Sequence, residues 1–213
     1  MKVRTAEKRD AIVGAAARLF REHGYDGASM NELVRRMGGS KATIYGYFPS
    51  KEALFSAVVR SFATSHLTKA ARELVAAVGR KEPVEQCLTQ FATGVLEILT
   101  SDHTALAVAR MVIAESGRSD VGRIFYEAGP QETKTILASV LEEMMRSGEL
   151  RAFDPVVAAD HLLALITAEA NRRLYEREPA LITSEARQRM VRDAIDLFLH
   201  GMAVRPADGS RRA

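Results

Sequence analysis

The stretch from Ser29 to Phe55, SMNELVRRMGGSKATIYGYFPSKEALF, constrains the fold more than any other part of the chain. Ser29 can cap a helix that carries Glu32 at its third position, and such a capping box satisfies two backbone amides reciprocally. Gly38-Gly39 breaks this helix, and Ser40 can start the next one at once. The pattern therefore predicts two short helices joined by a tight turn.

The second of these helices has one apolar edge and one exposed edge. Ile44 and Phe48 are four residues apart and would hold it on a core. A helix this short is not stable alone, so neighbouring elements must support it. Its other face carries one cation, small residues and two phenols, groups that can approach a DNA groove and bond to bases or phosphates. The segment is typical of a helix-turn-helix that binds DNA.

We expect DNA contacts from the exposed residues of both helices and from the start of the following helix, which Ser50 can cap. Thr43, in the first turn of the second helix, would contact bases, whereas Tyr45, Tyr47 and Lys51 would contact phosphates. The full predicted set is Ser29, Asn31, Ser40, Lys41, Ala42, Thr43, Tyr45, Tyr47 and Lys51.

The residues around this segment carry a family resemblance. From Ile12 the chain reads I-x-x-A-A-x-x-L-F-x-x-x-G-Y, then S-x-x-x-L, then G-S-K-A-T-I-Y-G-Y-F-x-S-K-E-x-L. This pattern resembles the DNA-binding domain of the TetR family over about residues 8 to 60. Gly39 and Val34 stand where the family usually has Val and Ala, and Gly46 replaces the large side chain that contacts a base in some members. The resemblance implies a DNA-binding regulator.

The charge is unevenly distributed along the chain. Residues 1–60 contain 11 Lys+Arg against 6 Asp+Glu, a net charge of +5, whereas the remaining 19 against 21 give −2. The first segment is therefore the one suited to a polyanion, although solvated helix faces are often basic as well. A single cysteine, no signal peptide and no apolar run of membrane-spanning length predict a cytoplasmic protein without membrane contact.

The whole chain is predicted to be all-α. Helices are expected from Thr5 to His23, with Gly24 as the stop, and from Ser50 to about Val78. Further helices are expected over 83–100, 102–116, 119–147 with a possible break at Gly129-Pro130, 155–177 and 183–203, with Asp102, Asp154 and Thr183 as caps. We divide the chain into a helix-turn-helix domain at 1–50, a connecting helix at 51–79, a ligand-binding and dimerisation domain at 80–203 and a disordered tail at 204–213.

The last two helices are rich in apolar residues. The helix from 187 to 202 has one apolar stripe, and the helix before it is apolar nearly all round, which indicates burial on two sides. A buried helix in a large domain would explain this pattern. The TetR resemblance implies instead a two-fold dimer through a four-helix bundle, and one recognition helix alone contacts few bases. The predicted interface residues are Leu162, Ile166, Met190, Ala194, Phe198 and Met202.

The region between these parts could bind an effector. Pockets combine apolar walls with a few polar groups, and methionine adapts to varied ligands. The predicted ligand contacts are Cys87, Gln90, Phe91, Arg110, Met111, Glu115, Tyr126, Met144, His161 and Asn171. The FYEAGP segment at 125–130 resembles the sensor domain of the AcrR/AefR-like branch. The alternative is a filled core, because such stripes usually pack inside a domain.

Enzyme motifs are missing from the sequence. The five histidines have no H-x-x-x-H or H-E-x-x-H spacing, and Cys87 has no evident base partner, so we expect no metal, no cofactor and no catalytic residue. The sequence predicts a homodimeric repressor that leaves a pseudopalindromic operator when a small apolar or amphipathic effector binds. An activator, an architectural DNA-binding protein without a ligand, and a helical enzyme are the alternatives.

Overall fold

The computed structural model describes residues 5–101 and 103–203, and every regular element in these residues is helical. The predicted all-α fold is therefore confirmed. The α-helices are α1 Ala6–Gly27, α2 Met30–Met37, α3 Lys41–Tyr47, α4 Lys51–Val59, α5 Ser65–Gly79, α6 Val84–Ser101, α7 His103–Glu115, α8 Val121–Glu127, α9 Pro130–Arg146, α10 Pro155–Thr167 and α11 Ser184–Met202. A π-helical turn, Arg60–Thr64, joins α4 to α5, and a 3₁₀ turn, Ala170–Leu174, follows α10.

The described residues form two compact units. The first contains 5–65 and 103–130, and the second contains 66–101 and 131–203. The chain passes between the units after residue 65, inside the continuous helical stretch predicted as the connecting helix. The predicted domain limits at residues 50 and 79 stay predictions, and the predicted disordered tail lies outside the described residues.

Side-chain caps start several helices where the sequence predicts them. Ser29, Ser50, Asp154 and Thr183 each accept a hydrogen bond from a backbone N–H in the first turn of the helix that follows. These predictions are confirmed, because an N-cap depends on a few neighbouring residues and is visible in the local sequence. The predicted cap Asp102 lies outside the described residues.

The capping box at Ser29 is only half formed. Ser29 Oγ accepts from the N–H of Glu32 at 3.1 Å, as predicted. The Glu32 carboxylate does not return the bond but accepts from Arg35 at 2.9 Å and from Arg36 at 2.8 Å. Two guanidinium groups lie within reach on the same helix, and a charge-assisted hydrogen bond is stronger than one from a neutral amide.

Several predicted helix ends need correction. The backbone leaves the helical conformation at Gly24, where φ is +68°, but one more turn continues to Gly27. The break considered at Gly129-Pro130 within the predicted 119–147 helix is confirmed, since α8 ends at Glu127 and α9 begins at Pro130. The helix predicted over 155–177 ends at Thr167 and continues only as the 3₁₀ turn.

The core of the first unit joins helices from distant parts of the sequence. Phe20, Tyr25 and Phe55 form an aromatic cluster with ring centroids 5.0 to 5.8 Å apart. Val112 from α7 and Ile124 from α8 are buried in the same core. Helices α7 and α8 therefore help to support the helix-turn-helix segment.

Candidate DNA-binding surface and effector region

The turn between α2 and α3 is built from a left-handed glycine and two buried anchors. Gly38 has φ of +61°, and its N–H bonds to the carbonyl of Arg35 at 3.3 Å, which ends α2. Leu33 on α2 is fully buried and Ile44 on α3 is 1% exposed. Because the two anchors hold one edge of each helix on the core, α3 presents its opposite edge to solvent.

The exposed edge of α3 carries groups able to contact DNA. Ser40 accepts from the N–H of Thr43 at 3.1 Å, and the two hydroxyls lie 2.8 Å apart. The Lys41 ammonium lies 5.5 Å from the Tyr45 ring centroid, a cation–π contact. Ala42 lies between them and is exposed. Lys41, Ala42 and Tyr45 are exposed and Thr43 is partly exposed, and the contacts of these residues with DNA stay predictions.

The start of α2 adds two exposed polar residues. Ser29 caps the helix, and Asn31 lies in its first turn. The free N–H groups and the positive end of a helix dipole attract anions such as a phosphate. Both residues therefore stay in the predicted DNA contacts.

Tyr47 forms a hydrogen bond within the protein. Its side chain is half-buried, and its hydroxyl oxygen accepts a hydrogen bond from the backbone N–H of Thr5 at 2.9 Å. The bond ties the start of α1 to the last turn of α3. Tyr47 therefore fixes α3 in place, and its predicted phosphate contact stays untested.

Lys51 is fully engaged inside the unit, which corrects its predicted role. Its ammonium donates to the carbonyls of Tyr25 at 2.8 Å, Ala28 at 3.2 Å and Asp26 at 3.4 Å. The same ammonium lies 4.3 Å from the Tyr25 ring centroid. An ammonium group has three donors, and all three are used at the end of α1. We therefore no longer assign Lys51 to a phosphate.

An ion-pair network that the sequence analysis missed orients α2 against α1. The Arg36 guanidinium donates to Glu22 at 2.6 Å and to Glu32 at 2.8 Å. Hydrogen bonds from Arg36 lower the pKa of both carboxyls, and those two carboxylates raise the pKa of Arg36. The pairing of Glu32 with Arg36 was visible from their i,i+4 spacing, but the link to Glu22 depends on the tertiary fold.

The predicted effector residues of the first unit lie on α7 and α8. Met111 is buried and Arg110 is partly exposed, whereas Tyr126 is 45% exposed. Glu115 is buried at the end of α7, where Arg118 lies 3.8 Å from one carboxylate oxygen. Gly24 of α1 lies against the other oxygen, since a Cβ there would be 3.6 Å away. These helices pack on α1 and α4, so a change in their packing would reach the DNA-binding helices.

Three predicted effector residues of the second unit are buried in its core. Cys87, Phe91 and Met144 are at most 3% exposed and belong to one hydrophobic cluster. The Cys87 thiol donates to the carbonyl of Glu82 at 3.5 Å, and burial raises its pKa. A thiol with a raised pKa is a poor nucleophile, so Cys87 acts as an apolar core residue.

Three other predicted effector residues of the second unit point outward. Gln90 is exposed and donates to the Glu82 carboxylate at 3.2 Å. His161 is exposed with its ring centroid 6.2 Å from that of Phe153, and Asn171 is exposed and 3.5 Å from the Thr167 hydroxyl. The prediction placed them inside the domain because helical spacing alone does not tell which polar edge faces solvent. We drop Gln90, His161 and Asn171 as interior ligand contacts.

Thr133 is a buried polar residue that the sequence analysis missed. It is 2% exposed on α9, and its hydroxyl has no hydrogen-bond partner among the described residues. Its spacing of four residues from Leu137, on an apolar stripe, was the only signal, and threonine at such a position usually bonds to its own helix.

The predicted dimer residues pack inside the chain instead of facing a partner. All six are at most 6% exposed and belong to the core of the second unit: Leu162, Ile166, Met190, Ala194, Phe198 and Met202. The apolar stripe of α11 was correctly identified as buried, but it packs against α6 and α10 of the same chain. The exposed apolar residues on the two helices are Val156, Val157 and Leu197.

Within residues 5–101 and 103–203, no helix combines the length and apolar character needed to cross a membrane. The same described residues contain no group of three or more His, Cys, Asp or Glu side chains arranged to hold a metal ion.

Both halves of this chain resemble known protein families. Residues 12–58 match the family model for bacterial regulatory proteins of the tetR family, and residues 86–201 match that for the AefR-like transcriptional repressor C-terminal domain. The repressor ComR of Escherichia coli is 31% identical over 96 residues, which cover 45% of this chain and 44% of ComR. A helix-turn-helix regulator of Mycobacterium tuberculosis is 34% identical over 105 residues, 49% of each chain. The matched regions thus span less than half of these curated relatives.

Solved structures match over nearly the whole length. A TetR-family regulator from Mesorhizobium loti superposes with a TM-score of 0.77 and 28% identity, covering 95% of this chain and 100% of that one. The flavonoid-responsive regulator FrrA superposes with a TM-score of 0.72 and 31% identity over the same shares of the two chains. Together with the family models, these matches show that this chain belongs to the TetR family of DNA-binding transcriptional regulators and has an AefR-like C-terminal domain.

Proposed function

We propose that the protein is a cytoplasmic, homodimeric repressor that binds a pseudopalindromic operator and leaves it when a small apolar or amphipathic effector binds. The exposed edge of α3, with Ser40, Lys41 and Thr43 in or before its first turn, is the observation that carries the DNA-binding part. A first turn with hydroxyls and one cation suits base edges and phosphates in a major groove.

The outer face of α10 and α11 supports the dimer. Val157 is 38% exposed and Leu197 is 61% exposed, although both helices pack on the core through their other side. Exposed apolar residues on two adjacent helices favour contact with a second copy of the same face, because a two-fold interface repeats one surface. The predicted four-helix bundle is therefore kept, but with the outer residues as its contacts.

The position of α7 and α8 supports the coupling between effector and DNA. Both helices contribute side chains to the core of the unit that holds α2 and α3, including Val112 and Ile124. Repacking of α7 or α8 would disturb the packing of α1 and α4 and thereby the orientation of α3. Such coupling is reciprocal, so operator DNA must weaken effector binding by the same factor.

FrrA suggests the chemical class of the effector. FrrA is named a flavonoid-responsive regulator, and it is similar to this chain over its full length. We propose that this protein responds to an uncharged, planar, largely apolar molecule of that kind. Among the described residues of the second unit, the buried cluster is apolar apart from a few polar side chains, which suits such a ligand.

Operator binding with and without a flavonoid tests the proposal. A DNA site selected from random sequence would be titrated with the protein at fixed salt, alone and with 6-hydroxyflavone at several concentrations. We expect nanomolar affinity for the selected site and a loss of at least tenfold with the flavonoid. Operator affinity that no flavonoid changes would reject the effector class and leave the DNA-binding function intact.

A further inference from the structure

Thr133 differs from four other threonines on helices of the second unit. Thr93, Thr100, Thr135 and Thr167 each donate to the carbonyl four residues earlier, at 2.8 to 2.9 Å. Thr133 makes no such bond, and its hydroxyl has no other partner among the described residues, although the side chain is 98% buried. A buried hydroxyl without a partner costs about 1–3 kcal/mol, so its retention needs an explanation.

Thr133 lies on the buried apolar face of α9. Thr133 shares one face of α9 with Leu137, Leu141 and Met144, which follow it at helical spacing and are at most 3% exposed. They belong to the same cluster as Phe91 on α6. The adjacent residue Lys134 donates to Asp160 of α10 at 2.7 Å, and this ion pair holds the first turn of α9 against α10.

The surroundings specify the ligand chemistry. Among the described residues of this unit, Arg173 is the buried charged side chain, and it is already engaged in interactions of its own. Moving a further charge from water into this apolar cluster is strongly unfavourable. An uncharged molecule with one oxygen atom can instead bond to the Thr133 hydroxyl and leave the rest of its surface against aliphatic side chains.

We propose that the Thr133 hydroxyl is the polar contact for the effector, which is an uncharged, mainly apolar molecule that presents a hydroxyl or carbonyl oxygen to the start of α9. The proposal rests on the proposed function and assigns its ligand a specific hydrogen bond. Ligand binding satisfies a hydroxyl that is unsatisfied in the free protein. The apolar surface supplies most of the affinity, and the hydrogen bond supplies the discrimination between ligands.

The test compares Thr133→Val and Thr133→Ser with Thr100→Val as the matched control. Thr100 is a buried threonine of the same unit, but its hydroxyl bonds to the Leu96 carbonyl at 2.9 Å. Melting temperatures of the free protein and dissociation constants for 6-hydroxyflavone would be measured for each variant and for the wild type. Valine keeps the shape of threonine and removes only the hydroxyl.

We expect T133V to raise the melting temperature of the free protein by about 2–4 °C, because it removes an unsatisfied group. The same variant should bind 6-hydroxyflavone about 3- to 10-fold more weakly, and T133S should restore binding. T100V should lower the melting temperature and leave the affinity unchanged.

A lower melting temperature for T133V would mean that the hydroxyl has a partner within the protein, and it would overturn the inference. Unchanged affinity of T133V for 6-hydroxyflavone would also overturn it, while the proposed function would stand. A wild-type protein that does not bind 6-hydroxyflavone would contradict both the flavonoid effector and the ligand class assigned here.

Discussion

Lys41 and Lys51 are the first residues of α3 and α4, but their different surroundings give them different roles. Lys41 is exposed on the edge of α3, where its contact is the Tyr45 ring. Lys51 is half-buried and caps three carbonyls at the end of α1. A cation at the C-terminal end of a helix is favourable, so Lys51 stabilises α1 and fixes the chain leading into α2.

The two lysines make a matched pair for mutagenesis. We expect Lys51→Ala to lower the free energy of unfolding by about 1–2 kcal/mol, because three carbonyls at the end of α1 lose a charged donor. The slope of log affinity against log salt concentration should stay unchanged. Lys41→Ala should leave stability unchanged and reduce that slope by about one unit, because one phosphate contact is lost.

Thermal melts and salt titrations of operator binding, run on both variants, check this prediction. If K51A has wild-type stability but a reduced slope of log affinity against log salt concentration, Lys51 contacts a phosphate, as the sequence predicted.

At the scale of helices, the sequence predicts starts and buried faces well but not packing partners. Ser29 and Thr183 were found as caps because the capping bond lies within four residues of chain. Phe198 was correctly predicted as part of an apolar stripe, but the stripe cannot reveal whether it packs on the same chain or on a second copy. The helix α6 on which it packs lies about 100 residues earlier in the sequence. The carbonyl of Tyr25 that accepts from Lys51 is likewise distant from it in the sequence.

The outer face of α11 allows a direct test of the revised interface. We expect Leu197→Glu to weaken dimerisation at least tenfold while the chain stays folded, because Leu197 is 61% exposed in a single chain. Phe198→Glu should instead unfold the second unit, since Phe198 is 4% exposed and a buried unpaired charge is costly. Light scattering and circular dichroism separate the two outcomes. A folded L197E protein that dimerises as tightly as the wild type would rule out this face.

The junction before α9 depends on a glycine with no room for a side chain. A Cβ on Gly129 would lie 2.4 Å from the Cβ of Thr64, which is 1% exposed in the π-helical turn. The Thr64 hydroxyl also donates to the carbonyl of Ala128 at 3.1 Å. The contact therefore fixes the end of α8 against the π-helical turn that follows α4.

We expect Gly129→Ala to destabilise the protein by about 1–3 kcal/mol, because the backbone on one side must move to make room for the methyl group. Gly117→Ala is the matched control, since no atom lies within 4 Å of a Cβ at that position. Denaturant titrations of both variants measure the difference. Equal free energies of unfolding for G129A and the wild type would show that the backbone near Thr64 makes room for the methyl group without destabilising the protein.

At the scale of the whole molecule, the family and the helix-turn-helix were predictable because many characteristic residues lie close together in one short segment of the sequence. The pattern from Ile12 to Leu54 fixes about twenty positions, and residues 12–58 match the tetR family model. Residues of the proposed effector site were harder to predict, because polar residues such as Gln90 and Thr133 have similar helical spacing but opposite exposure. Only the tertiary fold distinguishes a solvent-facing polar group from a buried one.

The central claim is that two copies of α3 bind one two-fold DNA site. Selection of binding sequences from random DNA, followed by footprinting with the wild type and with Thr43→Ala, tests it most directly. We expect two inverted half-sites centred about one helical turn or more apart, and a loss of preference at the same base position in both half-sites for T43A. A single asymmetric footprint, or a T43A variant that selects the same bases as the wild type, would contradict the account.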